Sequence, residues 1–321
     1  MKKQNIRYLQ RHDIDVLRWN DCISHAVNGN IYAFSWYLDE VCPGWSALVR
    51  GDYEQVFPLT ARKKFGIHYL YQPFFTQQLG LFSQVHLTEN DVSEFLEAIP
   101  AKYRLIEINL NAYNKVTGKD FNIRQNLNLE LDLIPDYDTL RKSYNDNLKR
   151  KLRKAESAGI TIRPLPSIKE LIVLFRENKG KEVSTFKERD YQTLVSLVLQ
   201  GERHKAFESA AAFLPDGSLC AGAVFAFSNH KAIFLFSGSD DRAKATGAMS
   251  LLIDNFIRHH CEQHLTLDFE GSNDPDLARF YRSFGSAETA YPQLHRNTLP
   301  AYINYSHAIF KWLKEKLSKN S

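Results

Sequence analysis

Apolar and polar residues follow a regular order between residues 206 and 285. Three apolar runs, Phe207–Leu214, Leu219–Ser228 and Lys231–Ser237, are separated by short polar stretches that are typical of tight turns. A polar, glycine-containing segment follows, and then apolar residues recur every three or four positions from 249 to 257, which predicts a helix. A short strand at Leu265–Phe269 and a second helix complete the segment. The pattern therefore predicts an antiparallel meander, a loop, a helix, a strand and a helix.

The first 134 residues repeat this order in outline. The predicted elements are helices at Asp13–Val27, Tyr32–Val41 and Thr88–Ile99 and strands at Trp45–Arg50, Gln55–Arg62, His68–Tyr71, Arg104–Leu110 and Asn126–Leu133. We predict a mixed α+β fold with two similar domains, residues 1–134 and 135–321, each with a mostly antiparallel sheet flanked by helices. The second domain is expected to end in a helix with an apolar stripe from Ala308 to Leu317. A single irregular α+β domain is the alternative.

A strongly basic helix is predicted just after the domain boundary. Its apolar face carries Leu140, Tyr144 and Leu148 at spacings of four residues. The other faces carry the cations Arg141, Lys142, Lys149, Arg150, Lys151, Arg153 and Lys154. Such a concentrated positive field suits a phosphorylated acceptor, the phosphates of coenzyme A or tRNA, with Lys149 and Arg153 as candidate contacts. A solvated basic surface is the alternative.

Composition bounds the class of protein. A chain of 321 residues with 44% hydrophobic residues can build two packed domains, which excludes wholesale disorder. The net charge of +4 is too small to indicate nucleic-acid binding by itself. None of the four cysteines has CxxC or metal-ligand spacing, and Cys220 and Cys261 are predicted to be buried, reduced thiols. No run approaches the roughly 18 apolar residues of a membrane span, so we expect a cytoplasmic protein with no metal site. The oligomeric state stays open.

The polar segment after the third strand of the meander is a candidate cradle for a diphosphate. Backbone N–H groups and the positive end of the following helix would converge where that strand ends. Small residues allow close approach to the backbone, and two cations supply counter-charge. The candidate residues are Ser237, Gly238, Arg242, Lys244, Thr246, Gly247 and Ala248. An ordinary surface loop is the alternative.

The same segment resembles the acetyl-CoA-binding core of the GNAT N-acyltransferases. Lys244-Ala245-Thr246-Gly247-Ala248-Met249 is similar to the Gln/Arg-x-x-Gly-x-Gly/Ala loop of that family, from which it departs at its first and last residues. Asn273, Ala278, Phe280-Tyr281 and Gly285 resemble the helix whose Tyr often serves as general acid. The resemblance implies two GNAT-like domains and an acyl-CoA donor, acetyl-CoA first, in the gap between splayed strands. Asn273 and Arg282 would complete the cofactor site.

A narrower resemblance is to the Fem-type peptidoglycan aminoacyltransferases. Leu267–Ser272, Ala278–Gly285 and the basic helix are similar to segments of those enzymes, which usually carry Phe-Lys-x-x-Phe-Gly. Tyr281 stands here in place of that Lys, and this change favours acyl-CoA over aminoacyl-tRNA as the acyl donor. The resemblance implies an acceptor cleft between the domains, and the aromatic, amide-rich stretch Gln72–Phe82 would line it. The candidate acceptor contacts are Tyr71, Phe74, Gln77 and Gln78, for which core packing is the alternative.

Transfer of an acyl group to an amine needs a proton acceptor, an oxyanion donor and a proton for the leaving group. The candidate residues are Glu270 as proton acceptor, the backbone N–H groups at Phe236–Gly238 as oxyanion donors and Tyr281 as general acid. Glu270 could instead cap a helix or pair with Asp268, and Tyr281 could be a packing residue. Three hypotheses follow. The first is an acyl-CoA-dependent N-acyltransferase acting on a small-molecule or cell-wall-precursor amine. The second is an aminoacyl-tRNA-dependent Fem-type transferase, and the third is a non-catalytic binding protein.

Overall fold

The computed structural model describes residues 5–117, 120–181, 186–271 and 273–300. The helices in these ranges are α1 (Val16–His25), α2 (Ser35–Val41), α3 (Glu89–Glu97), α4 (Tyr137–Lys142), α5 (Asp146–Ser157), α6 (Ile168–Glu177), α7 (Glu188–Arg203), α8 (Asp241–Thr246), α9 (Ala248–His260) and α10 (Pro275–Arg282). The strands are β1 (Ile6–Gln10), β2 (Ser46–Arg50), β3 (Gln55–Leu59), β4 (Ala61–Lys64), β5 (Ile67–Tyr71), β6 (Phe82–Ser83), β7 (Tyr103–Asn109), β8 (Asn122–Asp132), β9 (Thr161–Pro164), β10 (Phe207–Phe213), β11 (Leu219–Ser228), β12 (Lys231–Ser239), β13 (Thr266–Asp268) and β14 (Ala287–Asn297). The helix predicted around 308–317 lies outside the described residues.

The strands form two sheets. The smaller has the order β1-β2-β3-β6, and the larger has the order β4-β5-β7-β14-β8-β13-β12-β11-β10-β9. The predicted single strand Gln55–Arg62 is divided at Thr60, so that β3 belongs to the small sheet and β4 to the large one. The hydroxyl of Thr60 donates to the carbonyl of Tyr71 at 2.6 Å, which fixes the chain at this crossing.

Each half contains one parallel strand pair, and this feature confirms the tandem α+β fold. In the first half β5 pairs with β7, and α3 lies between them in sequence. In the second half β12 pairs with β13, and α9 lies between them. The remaining strand pairs of both halves are antiparallel. Asn229 and His230, at the β11–β12 turn, both have positive φ, as a two-residue hairpin requires.

The halves exchange strands. β8 precedes residue 134, yet it pairs with β13 of the second half. β14 comes from the second half and pairs with both β7 and β8. Strand pairing therefore crosses the predicted boundary at residue 134 in both directions, and one sheet runs through the whole molecule.

The core has separate parts on the two faces of the second half. On one face the buried side of α5, with Leu148 and Leu152, packs with Leu252 and Phe256 of α9. The single helix predicted here is divided into α4 and α5, because Asn145 is extended and caps α5. Its apolar positions Leu140, Tyr144 and Leu148 are buried as predicted. On the other face α6 and α7 belong to a core cluster that also contains Trp19 of the first half. Helices of the second half are therefore held between the large sheet and the first half.

Three other local predictions were wrong. The polar segment predicted as a loop at 238–247 is the end of β12 followed by α8, because Asp240 caps a helix there. The single helix predicted at Tyr32–Val41 is a 3-10 turn followed by α2, because Phe34 is extended between them. Cys220 is buried as predicted, whereas Cys261 is partly exposed at the end of α9.

Candidate active site

A cavity of about 460 Å³ lies between the two halves where β12 and β13 separate. The two strands pair only over Lys231–Ile233 and Thr266–Asp268. Beyond that point β12 continues to Ser239, whereas the chain after β13 turns away. Both diverging segments line the cavity, and residues 73–77 of the first half line it from the other side.

The exposed edge of β12 supplies backbone hydrogen-bonding groups to the cavity. The strand pairs with β11 along its other edge, with an irregularity at which Leu235 has no partner between Phe234 and Phe236. In the described sheet, β12 has no paired neighbour on the β13 side after Ile233. Leu235, Phe236 and Ser237 all line the cavity. Backbone N–H groups of this unpaired edge as donors to a carbonyl oxygen, expected from the sequence around Phe236–Gly238, stay a prediction.

Glu270 lines the cavity just after β13. Its φ of 51° and the φ of 53° at Gly271 lie in the left-handed region, so the chain leaves strand geometry here. Burial raises the pKa of Glu270 to about 8. The side chain is therefore mostly neutral at pH 7 and becomes a carboxylate above pH 8. A strained backbone and a raised pKa in one cavity residue are features typical of functional sites.

Asp268 does not form the carboxylate pair considered from the sequence. Its buried side chain accepts from Nδ2 of Asn128 at 2.9 Å and pairs with Nζ of Lys231 at 3.2 Å. Nζ of Lys231 also lies 2.6 Å from Oε1 of Glu130. The strand ends at Asp268, and the left-handed turn at Glu270 breaks the alternation on which the pairing depended. Asp268 and Lys231 therefore stabilise the base of the strand separation.

Tyr281 projects from α10 into the same cavity. Its ring stacks on Phe269, with centroids 4.8 Å apart and planes at 18°. Burial raises the pKa of Tyr281, and the nearby acidic side chains of Glu270 and Asp274 raise it further. The phenol therefore keeps its proton at physiological pH and can donate it.

Two further polar residues line the cavity next to Glu270. Oδ1 of Asn273 accepts from the backbone N–H of Leu127 at 3.1 Å, which ties the loop before α10 to β8. Burial raises the pKa of Tyr291 to about 12, and the negative charge of Glu270 contributes to the shift. Asn273 was predicted from the sequence as a cofactor contact. Tyr291 was missed, since nothing in the sequence indicates that β14 passes beside β8.

The first half contributes part of the predicted acceptor stretch. Phe74 and Gln77 line the cavity. Gln78 is buried and donates to Oε1 of Gln77 at 2.8 Å. Tyr71 lies away from the cavity, with the guanidinium of Arg62 4.1 Å from its ring centroid. Phe75 also lines the cavity and belongs to the predicted stretch Gln72–Phe82, whereas the sequence missed the lining residues Phe175 and Phe186. Phe175 lies near the end of α6, and Phe186 lies within the charged 179–189 link.

Residues 241–246 of the predicted diphosphate cradle form α8, and the charged groups there have partners within the protein. The carboxylate of Asp240 accepts from the N–H of Ala243 at 2.8 Å and thereby caps α8. Nε of Arg242 donates to that carboxylate at 2.7 Å. Lys244 pairs with Asp241 at 3.0 Å. The N–H of Ala243 thus already binds an anion, and both predicted counter-cations have acidic partners. The helix predicted to follow the cradle is α9, and its N-cap Gly247 has no side-chain cap.

The small residues of the predicted cradle serve packing. Gly247 has a φ of 85°, and a Cβ atom there would lie 2.7 Å from the carbonyl oxygen of Lys151. The glycine therefore lets α5 pack closely over the start of α9. A Cβ atom at Gly238 would lie 3.1 Å from Leu171 of α6. Ala248 is fully buried.

The remaining predicted site residues lie away from the cavity lining. Arg282 pairs with Glu288 at 2.6 Å, and the hydroxyl of Thr246 donates to the carbonyl of Arg242 at 2.8 Å. On α5, Nζ of Lys149 donates to the carbonyl of Lys142 at 3.3 Å, and Arg153 is exposed. Of the predicted residues, the cavity therefore brings together Glu270, Tyr281, Ser237, Asn273, Phe74 and Gln77.

Comparison with known proteins identifies the class of this molecule. Residues 142–280 match the acetyltransferase (GNAT) domain family. This segment runs from the end of α4 into α10 and contains the separation of β12 and β13. The second half is accordingly a GNAT domain, and acyl transfer is its class of reaction.

The structure as a whole is similar to Fem-like arrangements of this fold. The crystal structure of FemX has 13% sequence identity and a TM-score of 0.65, with 94% of this chain and 99% of that chain covered. A conserved protein of unknown function from Bacteroides thetaiotaomicron VPI-5482 gives 10% identity, a TM-score of 0.60 and coverage of 92% and 99%. The C-terminal domain of a proposed lysylphosphatidylglycerol synthetase from Agrobacterium fabrum gives 11% identity, a TM-score of 0.55 and coverage of 92% and 95%. These likenesses show that the whole chain has a FemX-like arrangement of the GNAT fold.

A search among curated protein sequences finds no match. Within the residues that the structure describes, no helix is long and apolar enough to cross a bilayer. The same residues contain no group of three or more His, Cys, Asp or Glu side chains that could hold a metal ion.

Proposed function

We propose that this protein is an N-acyltransferase that moves an acyl group from a thioester or ester donor to an amine bound between the two halves. One observation carries the proposal. The unpaired edge of β12, the carboxyl of Glu270 and the phenol of Tyr281 line a single cavity that residues of the first half also line. A nucleophile, a carbonyl and a leaving group can meet in such a space.

The proposed reaction uses these groups in order. The amine nitrogen attacks the acyl carbonyl carbon, and the resulting oxyanion accepts hydrogen bonds from the β12 edge near Leu235. The carboxylate of Glu270 takes the proton that the nitrogen loses. The bond to the leaving sulfur or oxygen breaks, and Tyr281 gives that atom its proton. Solvent then removes a proton from Glu270 and returns one to Tyr281, which balances the cycle.

For the donor we propose acyl-CoA, with acetyl-CoA as the first compound to test. The GNAT domain over residues 142–280 supports this choice, because such domains generally use acyl-CoA donors. We place no diphosphate at the start of α8, because the carboxylate of Asp240 would repel it there. We place the thioester in the strand separation, and the start of α9 at Gly247, which has no side-chain cap, stays the candidate diphosphate contact.

Aminoacyl-tRNA is the second candidate donor, and two observations favour it. Asp240 places a carboxylate at the start of α8, and α5 presents the exposed cations Arg150, Arg153 and Lys154. A polyanion can bind such a face without entering the cavity, and its affinity would fall steeply with salt. The acceptor in either case is an amine of a small molecule or a cell-wall precursor.

A paired binding and transfer experiment separates these candidates. Binding of acetyl-CoA and of alanyl-tRNA is measured at low and high salt, and each donor is then incubated with a panel of amines. Transfer from acetyl-CoA that survives Arg153→Gln and Lys154→Gln supports the first candidate. Transfer from alanyl-tRNA that is weakened by Arg153→Gln and Lys154→Gln supports the second candidate. Arg279→Gln on α10 is the control and should leave that transfer intact. Amine binding without transfer from any donor would instead indicate a non-catalytic binding protein.

A further inference from the structure

Five phenylalanine rings form one end of the cavity, which we name the aromatic end. They are Phe74, Phe75, Phe175, Phe186 and Phe236. Phe186 stacks on Phe74 with centroids 4.7 Å apart, and Phe175 lies 4.9 Å from Phe236. The rings come from the first half, from α6, from the link before α7 and from β12, so folding brings them together from distant segments. Phe74 keeps 39% of its surface exposed at the rim.

The charge of the lining agrees with this apolar character. Glu270 is the only carboxylic acid among the described lining residues, and those residues include no lysine or arginine. Glu270 acts electrostatically on Tyr281 and Tyr291, which places it beside those two rings. A phosphate or carboxylate group would find no counter-charge inside this space, whereas an alkyl or aryl group would bury against the phenylalanine rings.

The position of the aromatic end relative to β12 indicates which substrate it contacts. Leu235, the unpaired residue of the β12 edge, precedes Phe236 directly. Phe75 and Phe175 both pack on Phe236, at 6.2 Å and 4.9 Å. An acyl carbonyl on the β12 edge would therefore carry its substituent into the aromatic end, while the amine would approach from the side of Glu270.

We propose that the aromatic end binds the apolar chain of the transferred acyl group, and that the enzyme prefers medium-length alkyl or aryl acyl groups to acetyl. This inference rests on the proposed function, because that function defines which group is acyl. Each methylene buried against the rings should improve binding roughly fourfold. A cavity of about 460 Å³ has room for several methylenes as well as the reacting carbonyl.

Neutral amides that mimic the product test this inference without turnover. N-methylheptanamide carries its alkyl chain on the acyl side, its isomer N-hexylacetamide carries it on the amine side, and N-methylacetamide has none. Dissociation constants are measured by ligand-detected NMR. We expect N-methylheptanamide to bind roughly 30-fold more tightly than N-methylacetamide, if half of its five additional methylenes are buried. We also expect it to bind more tightly than its isomer.

A matched pair of variants localises the effect. Phe74→Ala at the rim should weaken binding of N-methylheptanamide about fivefold and leave that of N-methylacetamide unchanged. Phe65→Ala, at a ring that is 86% exposed away from the cavity, should change neither. Equal or tighter binding of N-hexylacetamide, or no gain over N-methylacetamide, would overturn the inference. An intact amide preference without transfer from any donor would overturn the proposed function alone.

Discussion

Replacing Glu270 with glutamine tests whether the cavity destabilises a negative charge. The pKa of Glu270 is raised from 4.5 to about 8 by burial, so the folded state binds its proton more tightly than the unfolded state does. The stability of the wild-type protein is then lost progressively as pH rises from about 4.5 to about 8. Glutamine is neutral throughout and does not contribute this pH dependence.

The size of the effect follows from the shift. A difference of about 3.5 pKa units corresponds to roughly 5 kcal/mol at the limit. The side chain of Glu270 is partly exposed and faces a cavity, so solvent screening makes the real free-energy difference smaller than this limit. We therefore expect Glu270→Gln to be about 2–3 kcal/mol more stable than wild type at pH 9, and about equal to it at pH 5.

Denaturant unfolding at pH 5, 7 and 9 measures the difference directly. Glu202→Gln, which removes an exposed carboxyl from α7, is the matched control and should give no trend with pH. If the free energies of unfolding of Glu270→Gln and wild type differ by the same amount at every pH, the carboxyl of Glu270 ionises as it does in water. The assignment of Glu270 as a proton acceptor with a raised pKa would then be wrong.

Four further predictions use other parts of the structure. Transfer measured as kcat/KM should rise about tenfold per pH unit from pH 6 to pH 8 and level off above, because Glu270 must be a carboxylate to accept the proton of the amine. Tyr281→Phe should lower kcat by about 10²-fold or more in transfer assays and leave donor affinity nearly unchanged. Gly247→Ala should destabilise the protein by about 2–4 kcal/mol in denaturant unfolding, because its Cβ would meet the carbonyl of Lys151 at 2.7 Å. Separate expression of residues 1–134 and 135–321 should give fragments that lack a cooperative unfolding transition alone and regain it when they are mixed, since β8 and β14 cross the boundary.

Each of these predictions has an outcome that would contradict it. A flat pH–rate profile would exclude Glu270 as the proton acceptor, and an unchanged rate for Tyr281→Phe would exclude Tyr281 as the proton donor. Gly217 is the control for Gly247, because its φ of 81° is similar but nothing lies within 4 Å of a Cβ atom there. An equal cost at both glycines would refute the packing argument. Independent, cooperative unfolding of each fragment would show that the strand exchange is dispensable.

The sequence predicted local structure well where one pattern dominated. The meander β10–β12 followed from three apolar runs and their turns, and the buried face of α5 followed from its spacing. Strand exchange was not predictable, because the pattern of a strand such as β8 does not indicate its partner. The same limit applies to Tyr291 and Phe175, whose apolar settings suit either a core or a cavity wall. Only tertiary contacts decide between the two.

The error at α8 has a different cause. Asp240 and Asp241 precede small residues that favour a helix, and an acidic residue before such a run is a helix N-cap signal. The resemblance to a phosphate-binding loop predicted a loop here, whereas the N-cap signal predicted the helix that is present. For α8, the helix-capping residues therefore predicted the local structure better than the weakly matched loop motif did.

The acyl end and the diphosphate end of the predicted site depend on different features of the structure. The acyl end of the site depends on the divergence of β12 and β13, on Glu270 and on Tyr281, and the described residues keep all of these in one cavity. The diphosphate end depended on free N–H groups at the start of the helix after the cradle. That helix is α9, whose N-cap Gly247 has no side-chain cap, and the carboxylate of Asp240 caps α8 just before it. Because like charges repel most strongly where burial limits screening, a donor phosphate would be disfavoured beside that carboxylate. Selection of the donor must then rest on the acyl group in the cavity and on contacts outside α8. This is why the amide series discriminates more sharply than a comparison of coenzyme A affinities.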